Sequence, residues 1–257
     1  RTGGLISFFV SGGAPLSKDV AEFFGAMGLI ILEGYGLTET SPVLAVNTFD
    51  HIKLGTVGKP IPGVEIRIEE DGEILAKGPN IMQGYYKKPE ETAETIKEGW
   101  LYTGDIGYLD EDGFLVITDR KKDIIVTTGG KNVAPQPIEN MLKTSPYIAN
   151  PMVVGTRRNF ISALIVPEFD KLEEYARDNQ ISFHNRKELV ENKAVIDFMM
   201  GEIHKATSSL APYETIKKII LLDRDFDIES GEMTPTLKVK RDFIEKEFKE
   251  QIDTLYQ

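Results

Sequence analysis

Asp119-Arg120-Lys121-Lys122-Asp123-Ile124-Ile125-Val126-Thr127-Thr128-Gly129-Gly130-Lys131 divides the chain. An unbroken run of charges cannot sit in a core, because each buried charge needs a partner. Directly after it, Ile124-Ile125-Val126 reads as a short strand and Thr127 to Lys131 as a turn. Taken alone, the charged run reads better as a solvated turn inside one domain. The patterns on either side favour a boundary, with residues 1–120 in one module and 121–257 in another.

Upstream, the chain is rich in glycine turns and short β-type runs. Ser17 to Met27 reads as a helix, with Val20, Phe23, Phe24 and Met27 at helical spacing and Gly28 as its stop. Leu29 to Leu32 reads as a buried strand. Val64 to Ile68 alternates, turns at Asp71-Gly72 and returns as Glu73 to Lys77, a hairpin pattern. A second hairpin turns near Asp112-Gly113 and returns through Phe114 to Ile117.

Downstream, the spacing predicts a helix over 137–143 and strands over 151–155 and 161–166. Amphipathic helices follow near 170–178 and 194–210, then a strand at Ile219 to Leu222 and a closing helix over 239–255. Short strands mixed with helices give an α+β fold class.

Composition narrows the function. The 257 residues carry a net charge of −11 and no cysteine. Disulfides, thiolate metal sites and a Cys nucleophile are excluded. His51, His184 and His204 are too scattered for a zinc site. An acidic chain argues against nucleic acid as a partner, while small phosphorylated ligands need only a few local donors. No apolar run reaches the roughly 18 residues of a membrane helix, and a cytoplasmic protein fits. The Arg1 start predicts a piece of a longer chain.

Candidate chemistry lies in five segments, each with an ordinary structural alternative. Gly12-Gly13-Ala14 is a tight strand-to-helix turn, or a place where a flat ligand approaches the backbone. In Glu33-Gly34-Tyr35-Gly36-Leu37-Thr38-Glu39, Tyr35 is an aromatic plug or a stacking face for a base. Thr38 offers a hydroxyl to a phosphate oxygen. Glu39 is a solvated charge or a hard oxygen donor for Mg²⁺. Asp105, in Thr103-Gly104-Asp105, caps a turn or accepts two ribose hydroxyls. Arg120 is a surface cation or a planar fork for ribose and phosphate oxygens. Lys238, in Thr234-Pro235-Thr236-Leu237-Lys238, is an idle lysine or a mobile charge brought to a reacting carboxyl and phosphate.

These segments, in this order, resemble the superfamily of acyl-CoA synthetases, peptide-synthetase adenylation domains and luciferases. Tyr35 to Glu39 resembles its adenine and Mg-ATP motif, Gly99 to Asp105 its ribose motif, and Asp119 to Asp123 its interdomain hinge. Gly129 to Pro135 resembles the loop that enters for thioester formation. The Thr-Pro-Thr-Leu-Lys form and Asn132 to Pro137 are similar to bacterial long-chain acyl-CoA synthetases.

The resemblance implies a C-terminal piece of a large domain, with short strands, hairpins and a partial β-barrel, followed by a small mobile α+β domain. It implies a fatty-acid–CoA ligase using ATP, Mg²⁺ and CoA. Gly12, Gly13, Ala14, Glu33, Gly34, Tyr35, Thr38, Asp105 and Arg120 would then bind nucleotide. Glu39 would hold the metal, Lys122 would be the hinge, and Gly129, Gly130 and Lys131 would meet CoA. Lys238, with Thr38 and Glu39, would be catalytic.

Two departures stand out. Leu237 occupies a position where many relatives have Gly, which leaves Lys240 as the alternative lysine. The family's Gly/Ser/Thr-rich phosphate loop is missing between Arg1 and Ser11, so the 257 residues should not catalyse alone and the N-terminal part of the enzyme is an expected partner. An acyl-AMP ligase serving a carrier protein, or a non-catalytic nucleotide-binding fragment, are the alternatives. Long-chain substrates also leave peripheral membrane contact open, although no strongly basic amphipathic helix marks one.

Overall fold

The computed structural model describes residues 4–235 and 238–257, so Thr236 and Leu237 of the last motif lie outside the described residues. The chain forms two compact units, Arg1–Lys122 and Asp123–Gln257.

The first unit opens with β1 (Phe9–Ser11), α1 (Lys18–Ala26) and β2 (Ile31–Tyr35). β1 and β2 are parallel, with Ser11 opposite Glu33. Parallel neighbours need a crossover, and α1 supplies it. Ser17 stands at the N-cap, and Gly28 (φ +79°) ends the helix as its N–H bonds Gly25 O. Of the expected apolar stripe, Val20, Phe23 and Met27 lie exposed within this unit, and Ala21 is the buried residue of α1. The strand expected at 29–32 runs instead over Ile31–Tyr35, because pairing with β1 and the next strand fixes its register. β3 (Ala45–Val46) runs antiparallel to β2, and β4 (Lys59–Pro60) antiparallel to β3.

A second, open sheet follows. The hairpin of β5 (Glu65–Ile68) and β6 (Glu73–Lys77) turns at Asp71-Gly72. After α2 (Pro89–Thr95) come β7 (Ile96–Lys97), β8 (Trp100–Leu109) and β9 (Leu115–Arg120). β8 is the organising strand and pairs with β6, β7 and β9. Ala45, Ile74 and Leu115 form a small core across the two sheets. Leu115 also exchanges backbone bonds with Val57 (2.9 Å) and Gly58 (2.8 Å).

The second unit begins with β10 (Ile125–Val126) and β11 (Asn132–Val133), an antiparallel pair, and α3 (Pro135–Leu142). β12 (Ile148–Val154) and β13 (Ser162–Pro167) are antiparallel. Next come α4 (Phe169–Asp178), α5 (Arg186–Glu191), α6 (Lys193–Ala206) and β14 (Ile219–Leu221), which is parallel to β13. All six residues of β13 are buried, as a central strand covered on both faces requires. α6 presents Val195, Met199 and Ile203 to the core at helical spacing. Each fully buried large aliphatic side chain contributes about 1.5–3 kcal/mol.

The single closing helix expected over 239–255 is two helices, α7 (Arg241–Glu247) and α8 (Lys249–Thr254). Phe248, at φ −94° and ψ 16°, interrupts them. The apolar stripe continues across the break through Ile244, Phe248, Ile252 and Leu255, all buried, so periodicity alone conceals it.

Candidate functional site

Gly12, Gly13 and Ala14 leave the carboxyl end of β1, beside the end of β2. In sheets with parallel strands, this is the edge where ligands are received. A Cβ on Gly12 would come within 3.4 Å of Gly34 O, so the turn after β1 runs close beside β2. Glu33 is buried in β2 and its Oε1 has no hydrogen-bond partner. Burial pushes its carboxyl above the usual range, and a bond from the Leu16 backbone offsets this in part.

After β2 the chain turns sharply at Gly36. A Cβ there would lie 1.6 Å from Pro42 O, so only glycine fits. The turn carries Thr38 and Glu39 into a short 3₁₀ segment, Thr38–Thr40. Thr38 is exposed and Glu39 half-buried. The Tyr85 hydroxyl donates to Glu39 Oε1 at 2.9 Å, and the Met82 N–H bonds Glu39 O at 2.8 Å. Burial, then the neighbouring Glu39 carboxylate, raise the Tyr85 phenol above its usual range.

Tyr35, Asp105 and Arg120 come together although 70 and 15 residues separate them from Asp105. The Tyr35 hydroxyl donates to Asp105 Oδ2 at 2.7 Å, and Arg120 Nε donates to Asp105 Oδ1 at 2.7 Å. Asp105 sits in β8 opposite Arg120 of β9, which fixes this meeting. The Asp105 side chain is 9% exposed and that of Arg120 47% exposed, so the carboxylate is buried and its cation faces solvent. Burial first, and the Asp105 charge second, hold the Tyr35 phenol protonated well above its ordinary range. Tyr35 thus presents a neutral, anchored ring, and Asp105 a carboxylate already held by two donors.

Among the described residues no group of three or more His, Cys, Asp or Glu could hold a metal ion. Glu39, half-buried with one oxygen bonded by Tyr85, is the carboxylate that would meet a phosphate-bound Mg²⁺.

In the second unit, Gly129, Gly130 and Lys131 form the turn between β10 and β11. Gly130 N–H bonds Thr127 O at 3.0 Å, and Thr128 N–H bonds Arg158 O at 2.9 Å. Lys131 Nζ stands 5.6 Å from the Tyr213 ring centroid, within cation–π range. Lys238 is exposed, and its N–H donates to Thr234 Oγ1 at 3.0 Å. The chain enters α7 through Arg241, whose Nη1 donates to buried Glu139 Oε1 at 2.6 Å and whose Nη2 donates to Val153 O at 2.5 Å. Lys122 is exposed in the short 3₁₀ segment Lys121–Asp123, at the division between the units.

Sequence reasoning passed over Tyr85, Glu73, Lys121 and the Arg241–Glu139 pair. Only the Asp71-Gly72 turn hinted at Glu73, by setting where its strand begins.

The AMP-binding enzyme family matches residues 1–86, and the AMP-binding enzyme C-terminal domain matches residues 122–257, more than half of the chain. The chain belongs to the AMP-binding enzyme family. Among relatives of this AMP-binding enzyme is long-chain-fatty-acid–CoA ligase FadD15 of Mycobacterium bovis, 42% identical over 255 residues, covering 99% of this chain and 42% of the ligase. The chloroplastic long-chain-fatty-acid–[acyl-carrier-protein] ligase AEE15 of Arabidopsis thaliana is 35% identical over 269 residues, covering 96% and 35%. The solved o-succinylbenzoate coenzyme A synthetase of Bacillus subtilis, in complex with ATP and magnesium, has a TM-score of 0.69 at 28% identity, covering 91% and 45%. The chain thus spans less than half the length of the proteins it matches. No helix among its described residues is long and apolar enough to cross a membrane.

Proposed function

We propose that the complete protein containing this chain is an AMP-forming fatty-acid–CoA ligase, acting on long-chain acids. The observation that carries this reading is the Tyr35–Asp105–Arg120 group, a stacking ring bonded to a buried carboxylate and a guanidinium. Adenine would stack on Tyr35, while the ribose hydroxyls would take Asp105 and Arg120 as partners. Gly12, Gly13, Ala14, Glu33 and Gly34 would line the pocket around the base.

The substrate carboxylate attacks the α-phosphorus of ATP, giving acyl-adenylate and pyrophosphate. This step needs positioning and charge neutralisation. The Thr38 hydroxyl donates to an α-phosphate oxygen, and Lys238 brings its ammonium to the charge that builds on carboxyl and phosphate. Mg²⁺, held through Glu39, would supply further neutralisation of the phosphates. The second unit then turns about Lys122, withdrawing Lys238 and bringing in the Gly129-Gly130-Lys131 turn for the pantetheine arm. The CoA thiol attacks the acyl carbonyl and AMP leaves, so one site serves both reactions.

The isolated 257 residues have no Gly/Ser/Thr-rich phosphate loop and are proposed to need the N-terminal part of the enzyme. The site of action is the cytoplasm, with peripheral membrane contact where long-chain acids partition. Fatty-acid-dependent ATP–pyrophosphate exchange by the complete protein tests the reading; absence of exchange would refute it. A second reading, delivery to a carrier protein, is favoured by the similarity to the plant ligase. Thioester formation without CoA, on a carrier protein, would select it.

A further inference from the structure

Glu73 opens β6 as a buried carboxylate, 5% exposed, and both of its oxygens are engaged. Oε1 accepts the Gly104 N–H at 3.0 Å, and Oε2 accepts Lys121 Nζ at 2.7 Å. Gly104 lies in β8 with φ +70°. The pairing of β6 with β8 shifts register between Glu73 and Leu75, and that of β8 with β9 shifts between Ile106 and Gly107. Such a bulge leaves a backbone amide without a ladder partner and re-aims the neighbouring side chain. Glu73 takes that amide. The Thr103 hydroxyl completes the fixation, donating to Ile74 O at 2.7 Å and accepting the Asp105 N–H at 3.1 Å. The backbone that aims Asp105 at Tyr35 and Arg120 is therefore held from β6.

The other end of the contact is Lys121, which also pairs with Asp71 Oδ2 at 2.6 Å. Lys121 directly precedes Lys122, where the first unit ends. One buried carboxylate thus joins the bulge that carries Asp105 to the residue before the unit boundary. An exposed Asp71 could hold Lys121 only loosely, because solvent screens that pair, whereas the buried Glu73 oxygen is screened less.

We infer that Glu73 is a positioning residue that staples the Asp105 bulge and fixes Lys121 against it. Any turn of the second unit about Lys122 then starts from a point rigidly tied to the nucleotide-binding strand. The inference concerns regulation of the proposed ligase site and rests on that reading for its second half; the staple itself does not.

The test has two arms. In the 257-residue chain, residue-resolved amide exchange is compared for wild type, Glu73→Ala, Glu73→Gln and Lys121→Met. Loss of one protecting bond predicts roughly tenfold faster exchange at Gly104 in Glu73→Ala. Rescue in Glu73→Gln, which keeps the acceptor, and unchanged Gly104 protection in Lys121→Met are expected. Unchanged Gly104 exchange in Glu73→Ala, or no rescue by Glu73→Gln, would overturn the staple. In the complete protein, Lys121→Met should leave the KM for ATP and the exchange rate near wild type while slowing thioester formation about fivefold or more. Equal effects on both half-reactions, or none on either, would overturn the link to the boundary. If wild type shows no ATP–pyrophosphate exchange, the ligase reading fails while the first arm still decides the staple.

Discussion

The Tyr35 hydroxyl and the Arg120 guanidinium each hold one oxygen of Asp105, both at 2.7 Å. On the proposed function, Tyr35 would offer a ring for stacking, while Asp105 is a carboxylate already aimed by its two donors. Tyr35→Phe keeps the ring and removes one hydrogen bond, worth about 0.5–1.5 kcal/mol. Tyr35→Ala removes the stacking face as well, worth a further 1–3 kcal/mol or so per base. The KM for ATP in the complete protein should therefore rise only severalfold in Tyr35→Phe and by more than about tenfold in Tyr35→Ala. Equal losses in the two variants would remove the ring from the binding site.

Glu33 makes stability depend on pH. Burial raises its folded-state pKa above the unfolded value. Its favourable contribution is then fully present below the unfolded pKa and is lost as pH rises through the folded one. Glu33→Gln abolishes the ionisation. Its unfolding midpoint, relative to wild type, should be higher at about pH 7 than at about pH 4. A pH-independent difference would contradict a carboxyl raised chiefly by burial.

Gly36 and Gly104 are needed for different reasons. At Gly36 a methyl group meets the Pro42 carbonyl, so Gly36→Ala should cost about 2–4 kcal/mol in urea unfolding. At Gly104 there is open space, and only the φ of +70° opposes a side chain. Gly104→Ala should cost about 1 kcal/mol. A smaller cost at Gly36 than at Gly104 would contradict the turn geometry.

The base of the Lys238 loop hangs on Arg241. Its side chain is 15% exposed, that of Glu139 is 8% exposed, and they lie 2.6 Å apart. Arg241→Met takes the cation from the buried Glu139 carboxylate, which keeps the Val153 N–H at 2.8 Å, and should destabilise the second unit by about 3 kcal/mol. Adding Glu139→Gln should recover part of that loss. A double variant no more stable than the single one would show that the charge of Glu139 carries none of the cost.

Much of the site was legible because its residues sit in compact motifs. Tyr35, Thr38 and Glu39 lie within one short motif, and Asp105 and Arg120 each mark a motif of their own, but the register shift at Ile106 and Gly107 that sets Asp105 opposite Arg120 is not encoded in the Asp112-Gly113 turn. The supporting residues were not legible. Glu73 reaches Gly104 only because β6 and β8 slip at a bulge, which alternation does not encode. Tyr85 meets Glu39 across 46 residues of chain with no motif of its own. The break at Phe248 was hidden because neither glycine nor proline marks it and the buried stripe runs straight through.

The hinge follows from the same account. Lys122→Pro fixes φ at the residue that ends the first unit. It should trap one domain orientation, leaving acyl-adenylate formation active and suppressing thioester formation. Full retention of thioester formation from supplied acyl-adenylate would count against Lys122 as the pivot.

The most direct test of the account is to measure the two half-reactions separately in the complete protein carrying Lys238→Ala. Acyl-adenylate formation, read as ATP–pyrophosphate exchange, should fall by about two orders of magnitude or more, while thioester formation from supplied acyl-adenylate stays near wild type. Equal loss in both half-reactions would contradict the assignment of Lys238 and, with it, the use of one site for two reactions.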